Sequence, residues 1–285
     1  MIRKFCDLHT HSNHSDGTFT PAELIKEAEE RELYAIALTD HNTVTGLHEF
    51  LKAAKNSSVK AIPGIEISTA FEGTELHIVG LFIAPEHYRK VTAFTDRINE
   101  NKRISNIKLV DALQKDGYDI DYKTLISRLP DGKYIFNRAH VAAELTEKGY
   151  VSSIAEAFET LLSKDGKYYC EPQRLSSLEA ISFLKSINST VILAHPFLNF
   201  NEAQLRSFLP YAKGCGLDGI ETLYSYPENA EELWKLSAQI AQEFNLKQSG
   251  GSDFHGTRKP HISLGIGAGN LAVPSEFALQ LNSTR

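Results

Sequence analysis

The sequence predicts an α/β fold: a parallel sheet, open or closed into a barrel, interrupted by a helical insertion. Three observations carry this prediction. At both ends of the chain, short β-rich runs alternate with helical patterns, the rhythm of β–α–β units. From residue 99 to residue 170 the pattern is almost wholly helical. The 285 residues are 42% hydrophobic and 23% charged, ordinary globular composition. A fold of that size removes roughly 75% of its extended surface from water, so no disulfide is needed to hold it. The expected division is 1–98 and 171–285 as two parts of one barrel, with 99–170 as the insertion.

Each element has a local reason. Phe5–Thr10 reads as a strand. Thr20–Leu33 reads as a helix, with Thr20 as cap and Pro21 in the first turn, where its missing N–H costs nothing. Ala35–Leu38 is a strand, Thr45–Lys55 a helix, and Ala61–Ser68 and Leu76–Ile83 are strands. In the insertion Ile104, Ile107, Val110 and Leu113 recur at helical spacing as far as Gly117. Asp121–Leu129 follows and stops at Pro130-Asp131-Gly132. Arg138–Lys148 is the next helix, and Ser153 with Glu156 forms a capping box that opens another. The alternation then resumes. Leu178–Ile187 reads as a helix, Val191–Ala194 and Gly219–Leu223 as strands, and Ala230–Phe244 as a helix. Gln248–Ser252 then leads into a loop-rich C-terminal segment.

Composition narrows the function. Lys and Arg number 30 against 36 Asp and Glu, a formal charge of −6, so no whole-molecule field draws the chain to duplex DNA. No apolar run of about 18 residues exists to span a membrane. The N-terminal residues turn polar too early for a signal peptide, and Cys6, Cys170 and Cys215 stand at unrelated spacings. Reduced thiols and a cytoplasmic protein are expected.

Eleven histidines stand out. His9 and His11 alternate on the first strand and share a face. Asp16 lies in the turn beyond them. Asp40-His41 ends the second strand, Glu66 the third, and His77 lies on the fourth. His195 closes the strand after the insertion, and Asp253 and His255 form another alternating pair. A strand-end gathering of imidazoles and carboxylates is how parallel α/β barrels assemble sites. Burying so many polar groups is costly unless each is paired or binds an ion. Mixed nitrogen and oxygen ligands without nearby cysteine suit zinc, manganese or iron in a site with several metals.

Asp7-Leu8-His9-Thr10-His11, Leu38-Thr39-Asp40-His41, Ala194-His195-Pro196 and Ser252-Asp253-Phe254-His255 closely resemble, in order, the motifs of the PHP (polymerase and histidinol phosphatase) superfamily. The insertion is similar to that of its TrpH-like phosphoesterases, which include nucleotide 5′-phosphatases and enzymes trimming the 5′ ends of short RNAs. The resemblance implies a distorted seven-stranded (β/α)7 TIM-like barrel with up to three metals at its C-terminal rim. By position it implies His9, His11, Glu66 and Asp253 around the first metal. Glu66 would bridge to a second, completed by His77 and His195, and Asp16, His41 and His255 would hold a third. Many relatives carry histidine where this chain has Asp16. Asp7 and Asp40 are expected to orient imidazoles.

The expected cofactors are therefore two or three divalent ions, with manganese favoured by the resemblance and iron or zinc as alternatives. Phosphoester hydrolysis is the natural chemistry for such a site, through attack of a metal-activated hydroxide on phosphorus. The expected catalytic set is His9, His11, Glu66, His195, Asp253 and His255. In the insertion, Asn137-Arg138-Ala139-His140 opens a helix whose first N–H groups favour an anion. In the subgroup that the insertion resembles, an Arg and a His of the inserted domain contact substrate phosphate, which Arg138 and His140 match. Glu221 and Tyr224, at a strand end, either line the pocket or support a ligand. His14, His48, His87 and His261 match no metal position, though His261 is close enough in sequence to touch substrate. Gly265-x-Gly267-x-Gly269 lacks the strand and helix context of a nucleotide loop and reads as a turn-rich segment. The expected substrates are small nucleotides, such as AMP and nucleoside 3′,5′-bisphosphates, or short oligonucleotides. Alternatives are a histidinol-phosphate phosphatase and a non-catalytic metal-binding PHP module.

Overall fold

The computed structural model describes residues 4–128, 138–163 and 165–283. Pro130-Asp131-Gly132 and Asn137 lie outside them. In chain order the first elements are β1 (Phe5–Thr10), α1 (Pro21–Glu30), β2 (Ala35–Leu38), α2 (Leu47–Ala53), β3 (Lys60–Phe71) and β4 (Thr74–Leu81). Next come α3 (Tyr88–Lys115), α4 (Tyr122–Ser127), α5 (Arg138–Glu147) and α6 (Ile154–Glu159). The chain continues with β5 (Leu175–Ser176), α7 (Ser177–Ser186), β6 (Thr190–Leu193), α8 (Glu202–Gly214) and β7 (Gly219–Tyr224). It closes with α9 (Ala230–Glu243), β8 (Lys247–Gly251), β9 (Val273–Pro274) and α10 (Ser275–Asn282). Two compact units result: the chain up to Thr95 together with Leu175 onward, and Asp96–Arg174.

The first unit is a nearly closed barrel. Seven strands run in the order β8-β7-β6-β4-β3-β2-β1, β9 lies antiparallel on β1, and β5 pairs with β3. The ring closes beyond the strand ends. Asp253 N donates to His9 O at 2.9 Å, and His11 N donates to Phe254 O at 2.9 Å. Gly251 makes this approach possible, because a Cβ there would lie 2.4 Å from His9 Cβ and 2.5 Å from His9 N. Besides β9, β4 departs from the parallel reading and runs antiparallel to both β3 and β6. The cause is local. Glu72 and Gly73 adopt φ of 47° and 81°, the left-handed pair of a tight hairpin turn, which reverses the chain between the two strands.

Packing follows the alternation of the strands. Cys6 and Leu8, Ala35 and Ala37, Val79 and Leu81, and Ile192 and Ala194 meet in one buried cluster, joined by Val273, Ala278 and Leu281. The last three belong to β9 and α10, in the stretch expected to be loop-rich. Helix α8 also goes beyond the expected elements, although Asn201 and Gln204 form a full capping box in front of it. Pro210 inside the helix obscured its periodicity. Helix α1 has the predicted cap: Thr20 and Glu23 exchange hydrogen bonds in a capping box.

The second unit packs α3–α6 around Leu109, Val110, Leu113, Leu125, Val141, Leu145, Ala157 and Leu162. Of the stripe read from the sequence, Val110 and Leu113 are buried but Ile104 is 41% exposed. A strict three-residue spacing drifts by about 60° per step around a 3.6-residue helix, so its early members leave the core face. The capping box at Ser153 is only half formed. Ser153 Oγ accepts from Glu156 N, while the Glu156 carboxylate turns back to Ser152. Among the described residues no helix is long and apolar enough to cross a membrane.

Candidate metal centre

The rim where β1, β2, β3, β6, β7 and β8 point gathers all nine predicted ligands. His9 sits on β1, with His11 and Asp16 just beyond it; His41 follows β2, and His195 and Asp253 follow β6 and β8. Glu66 is placed differently from the expectation, while His77 lies on the fourth strand as expected. Glu66 lies in mid-strand, because β3 runs on past the rim into the hairpin. His77 lies in the first half of β4, and the reversal of that strand brings it to the same rim, opposite Ser68.

Four ligand atoms form a compact set. His9 Nε2 and His11 Nε2 are 3.1 Å apart, each is 3.3 Å from Glu66 Oε2, and Asp253 Oδ1 lies 3.1 Å from His11 and 3.6 Å from His9. The His9–His11–Asp253 triangle, with edges of 3.1–3.6 Å, places its three atoms about 2.0 Å from a common centre, a metal–nitrogen or metal–oxygen bond length. Around it, Glu66 Oε1 accepts from His77 Nδ1 at 2.8 Å and lies 3.0 Å from His195 Nε2. A further group joins Asp16, His41, His255 and His11, with Asp16 Oδ1 3.2 Å from His255 Nε2. His11 thus stands in two groups, as do His9, Glu66 and His41.

The donor set fits divalent cations. His11 Nδ1, Asp16 Oδ1, His41 Nδ1 and Glu66 Oε2 are buried without a hydrogen-bond partner. Glu66 Oε2 and His41 Nδ1 are 3.0 Å apart yet misaligned for a bond. Orphaned buried polar atoms are rare in proteins, and a missing ion is one of the few explanations for them. The imidazole and carboxylate atoms suit manganese, iron or zinc alike.

Electrostatics agree. Burial alone would raise the carboxyl of Glu66, but His41, His9 and His77 overcome it and hold the group well below the ordinary range. Asp253 is held low in the same way by Lys259 and His255, and Asp16 by His41 and His255. Burial pushes His41 down to about 4 against the pull of Glu66 and Asp16. Burial also opposes protonation of His11 and His77, yet the carboxylates beside them carry both up to about 9.

Supporting residues complete the geometry. Glu221 accepts from His9 Nδ1 at 2.8 Å and from His195 N at 2.7 Å, so it orients the His9 imidazole and leaves Nε2 facing the set. A register shift after Glu221 in β7 marks the irregularity beside it. Tyr224 OH donates to Asp253 Oδ2 at 2.9 Å. His195 and Asp253 have φ of 26° and 56°, strained for side-chain-bearing residues and typical of functional positions. Asp7 and Asp40 do not orient imidazoles as expected. Asp7 accepts from Ser252 and Gly265 and staples β1 to the chain after β8, while Asp40 accepts from Ser12 and Ser15 and holds the loop that carries Asp16. Short polar side chains with open backbone amides beside them outcompete more distant rings for a carboxylate.

The remaining candidates are placed as follows. Arg138 opens α5 within the second unit, donates to Leu162 O at 2.8 Å, and lies over the rings of Tyr169 and Phe158 at 4.7 and 5.5 Å. His140 stands half-buried one turn into the same helix. His48 and His261 are exposed, and His14 pairs with Thr45. Gly265, Gly267 and Gly269 all take positive φ in a turn, as read. Lys259 escaped the sequence reading. It donates to Asp253 Oδ2 at 2.6 Å from a loop with no periodic signal.

Comparison with known proteins agrees with this geometry. The PHP domain matches residues 7–175. A 5′-3′ exoribonuclease of Haemophilus influenzae is 33% identical over 256 residues, covering 90% of this chain and 91% of that one. A phosphoribosyl 1,2-cyclic phosphate 1,2-diphosphodiesterase of Eggerthella lenta is 29% identical over 92% of this chain and 99% of its own. A 3′,5′-nucleoside bisphosphate phosphatase of Chromobacterium violaceum is 28% identical over 87% and 86%. A solved chain of Bifidobacterium adolescentis, described as a candidate metal-dependent phosphoesterase, superposes with a TM-score of 0.84 at 25% identity, covering 98% of this chain and 96% of that one. With more than half of its length matched and a third of its residues shared with a relative across nine-tenths of it, the chain belongs to the PHP domain family.

Proposed function

We propose that the chain is a metal-dependent hydrolase of phosphoester bonds acting on nucleotides or short 5′-phosphorylated oligonucleotides. The observation that carries this reading is the convergence of His9, His11 and Asp253 at 3.1–3.6 Å from one another, with Glu66 Oε2 3.3 Å from both imidazoles and orphaned ligand atoms beside them. Support for the substrate class comes from relatives named for exoribonuclease and nucleoside bisphosphate phosphatase activity.

The proposed ligands are the nine residues His9, His11, Asp16, His41, Glu66, His77, His195, Asp253 and His255, holding two or three ions with manganese first among the candidates. Bound divalent ions supply a Lewis acid for phosphoryl oxygens and a water activated near neutral pH. The chain supplies the rest. Glu221 locks the His9 tautomer, and Tyr224 holds Asp253 so that Oδ1 faces the set. Neither serine nor cysteine is required as nucleophile. Cys6 is fully buried in the hydrophobic cluster, and burial pushes its thiol far up. Arg138 and His140 are proposed to contact substrate phosphate, a role supported by residue type and place in the sequence.

The test is phosphate release with added manganese from AMP, a nucleoside 3′,5′-bisphosphate, a 5′-phosphorylated RNA dinucleotide and histidinol phosphate. Preference for the bisphosphate or the dinucleotide is expected. Turnover of histidinol phosphate alone would replace the substrate class. His9→Ala with Asp253→Ala is expected to abolish turnover with circular dichroism nearly unchanged, and retained activity would refute the proposed centre.

A further inference from the structure

Lys259 stands six residues after Asp253, just past a single 3-10 turn, Gly256–Arg258. Its Nζ lies 2.6 Å from Asp253 Oδ2, and the other oxygen of that carboxylate faces His11 Nε2 at 3.1 Å. The ammonium is therefore one carboxylate away from the proposed metal ligands. Its loop is fixed. Thr257 N donates to Thr18 Oγ1 at 3.0 Å, and Thr18 N donates to His255 O at 3.2 Å. Gly256 has φ of 66°, and a Cβ there would fall 2.1 Å from Thr18 Oγ1, so the turn excludes larger residues.

A fixed cation beside a metal ligand makes little sense for metal binding alone. It draws charge from Asp253 and repels any divalent ion that the carboxylate would hold. Nor is it needed to orient Asp253, because Tyr224 OH already donates to the same oxygen at 2.9 Å. The side chain of Lys259 is 35% exposed, so the ammonium reaches solvent on a flexible stem. Beside the Asp253 carboxylate, a partly exposed cation lowers the repulsion that an approaching anion meets.

We propose that Lys259 is the barrel's own phosphate-binding residue, donating to a non-bridging oxygen of the substrate phosphate. This rests on the phosphoester reading of the same site. The experiment uses the manganese-loaded protein and two neutral variants, Lys259→Met and Lys259→Gln, with Lys259→Arg as the conservative control. Inorganic phosphate binding is measured by calorimetry, manganese affinity by competition with a chelator, and KM and kcat with a 5′-phosphorylated RNA dinucleotide. Loss of one charged hydrogen bond should weaken phosphate binding and raise KM by about ten- to a hundredfold. Manganese affinity should stay the same or tighten, and Lys259→Arg should restore most of the phosphate affinity. Unchanged phosphate binding in both variants would overturn the proposal. So would weakened manganese binding with KM unchanged, which would make Lys259 a positioning residue for Asp253. Phosphate binding is read without turnover, so a failure of the substrate reading is distinguishable from a failure of this one.

Discussion

Glu221→Gln isolates the support beneath the metal ligands. Glu221 is 1% exposed and serves two donors, His9 Nδ1 through one oxygen and His195 N through the other. Glutamine keeps the size but has one acceptor oxygen, so its amide N–H must face one of those donors. One buried donor is left unpaired, at a cost of about 1–3 kcal/mol. For a chain of this length that is a Tm loss of about 2–5 °C in the metal-free protein. The second consequence is functional. With the carboxylate gone, the His9 ring loses the partner that fixes its tautomer, and outer partners of this kind are worth about 10–100-fold in metal affinity. Chelator competition with manganese reads the affinity, and thermal melting of the metal-free variant reads the stability. An unchanged manganese affinity accompanied by the full loss of Tm would show that Glu221 serves only the fold, and the supporting role assigned to it would fall.

Three further outcomes follow from the same geometry. His11 and His77, carried up to about 9 by neighbouring carboxylates against burial, contribute stability that is complete below about pH 6.5 and lost as pH rises through 9. The Tm of the metal-free protein should therefore fall across that window while the gain in Tm from manganese grows, since metal needs the imidazoles free of protons. A metal-free Tm that rises over the same range would contradict it. Gly251→Ala forces a Cβ against His9 and should cost about 1–3 kcal/mol or more while loosening manganese, read by melting and by metal titration. Arg138→Ala should raise KM for the nucleotide with bound manganese unchanged. Loss of its bond to Leu162 O accounts for only about 0.5–1.5 kcal/mol of stability, so an unaltered KM would end its role toward substrate.

Much of the barrel was legible because its signals are local. Phe5–Thr10 and Ala35–Leu38 coincide with β1 and β2, and the cap at Thr20 forms as read, because alternation and capping depend on neighbours in sequence. Helix α8 was hidden by Pro210, and α10 by a short apolar run too brief to show its period. The reversal of β4 turned on two residues, Glu72 and Gly73, which a pattern of whole strands does not weigh.

The site divides along the same line. The alternating pairs His9/His11 and Asp253/His255, with Asp16 in a turn and His41, Glu66, His77 and His195 on or at the ends of strands, were enough to name nine chemically matched residues, because each carries its donor type in its own identity. Which atoms meet is a matter of closure. The backbone bonds between His9, Asp253, His11 and Phe254 bring the first and last strands together, and only that approach sets Asp253 Oδ1 against His11 Nε2. Glu221 acquires its role from the closure of the barrel, since a supporting partner is defined by the atom it touches, and its contact with His9 spans 212 residues. The sequence by itself determined the chemistry available at the rim. The tertiary structure decided which lone pairs converge, because convergence depends on contacts between residues far apart in the chain.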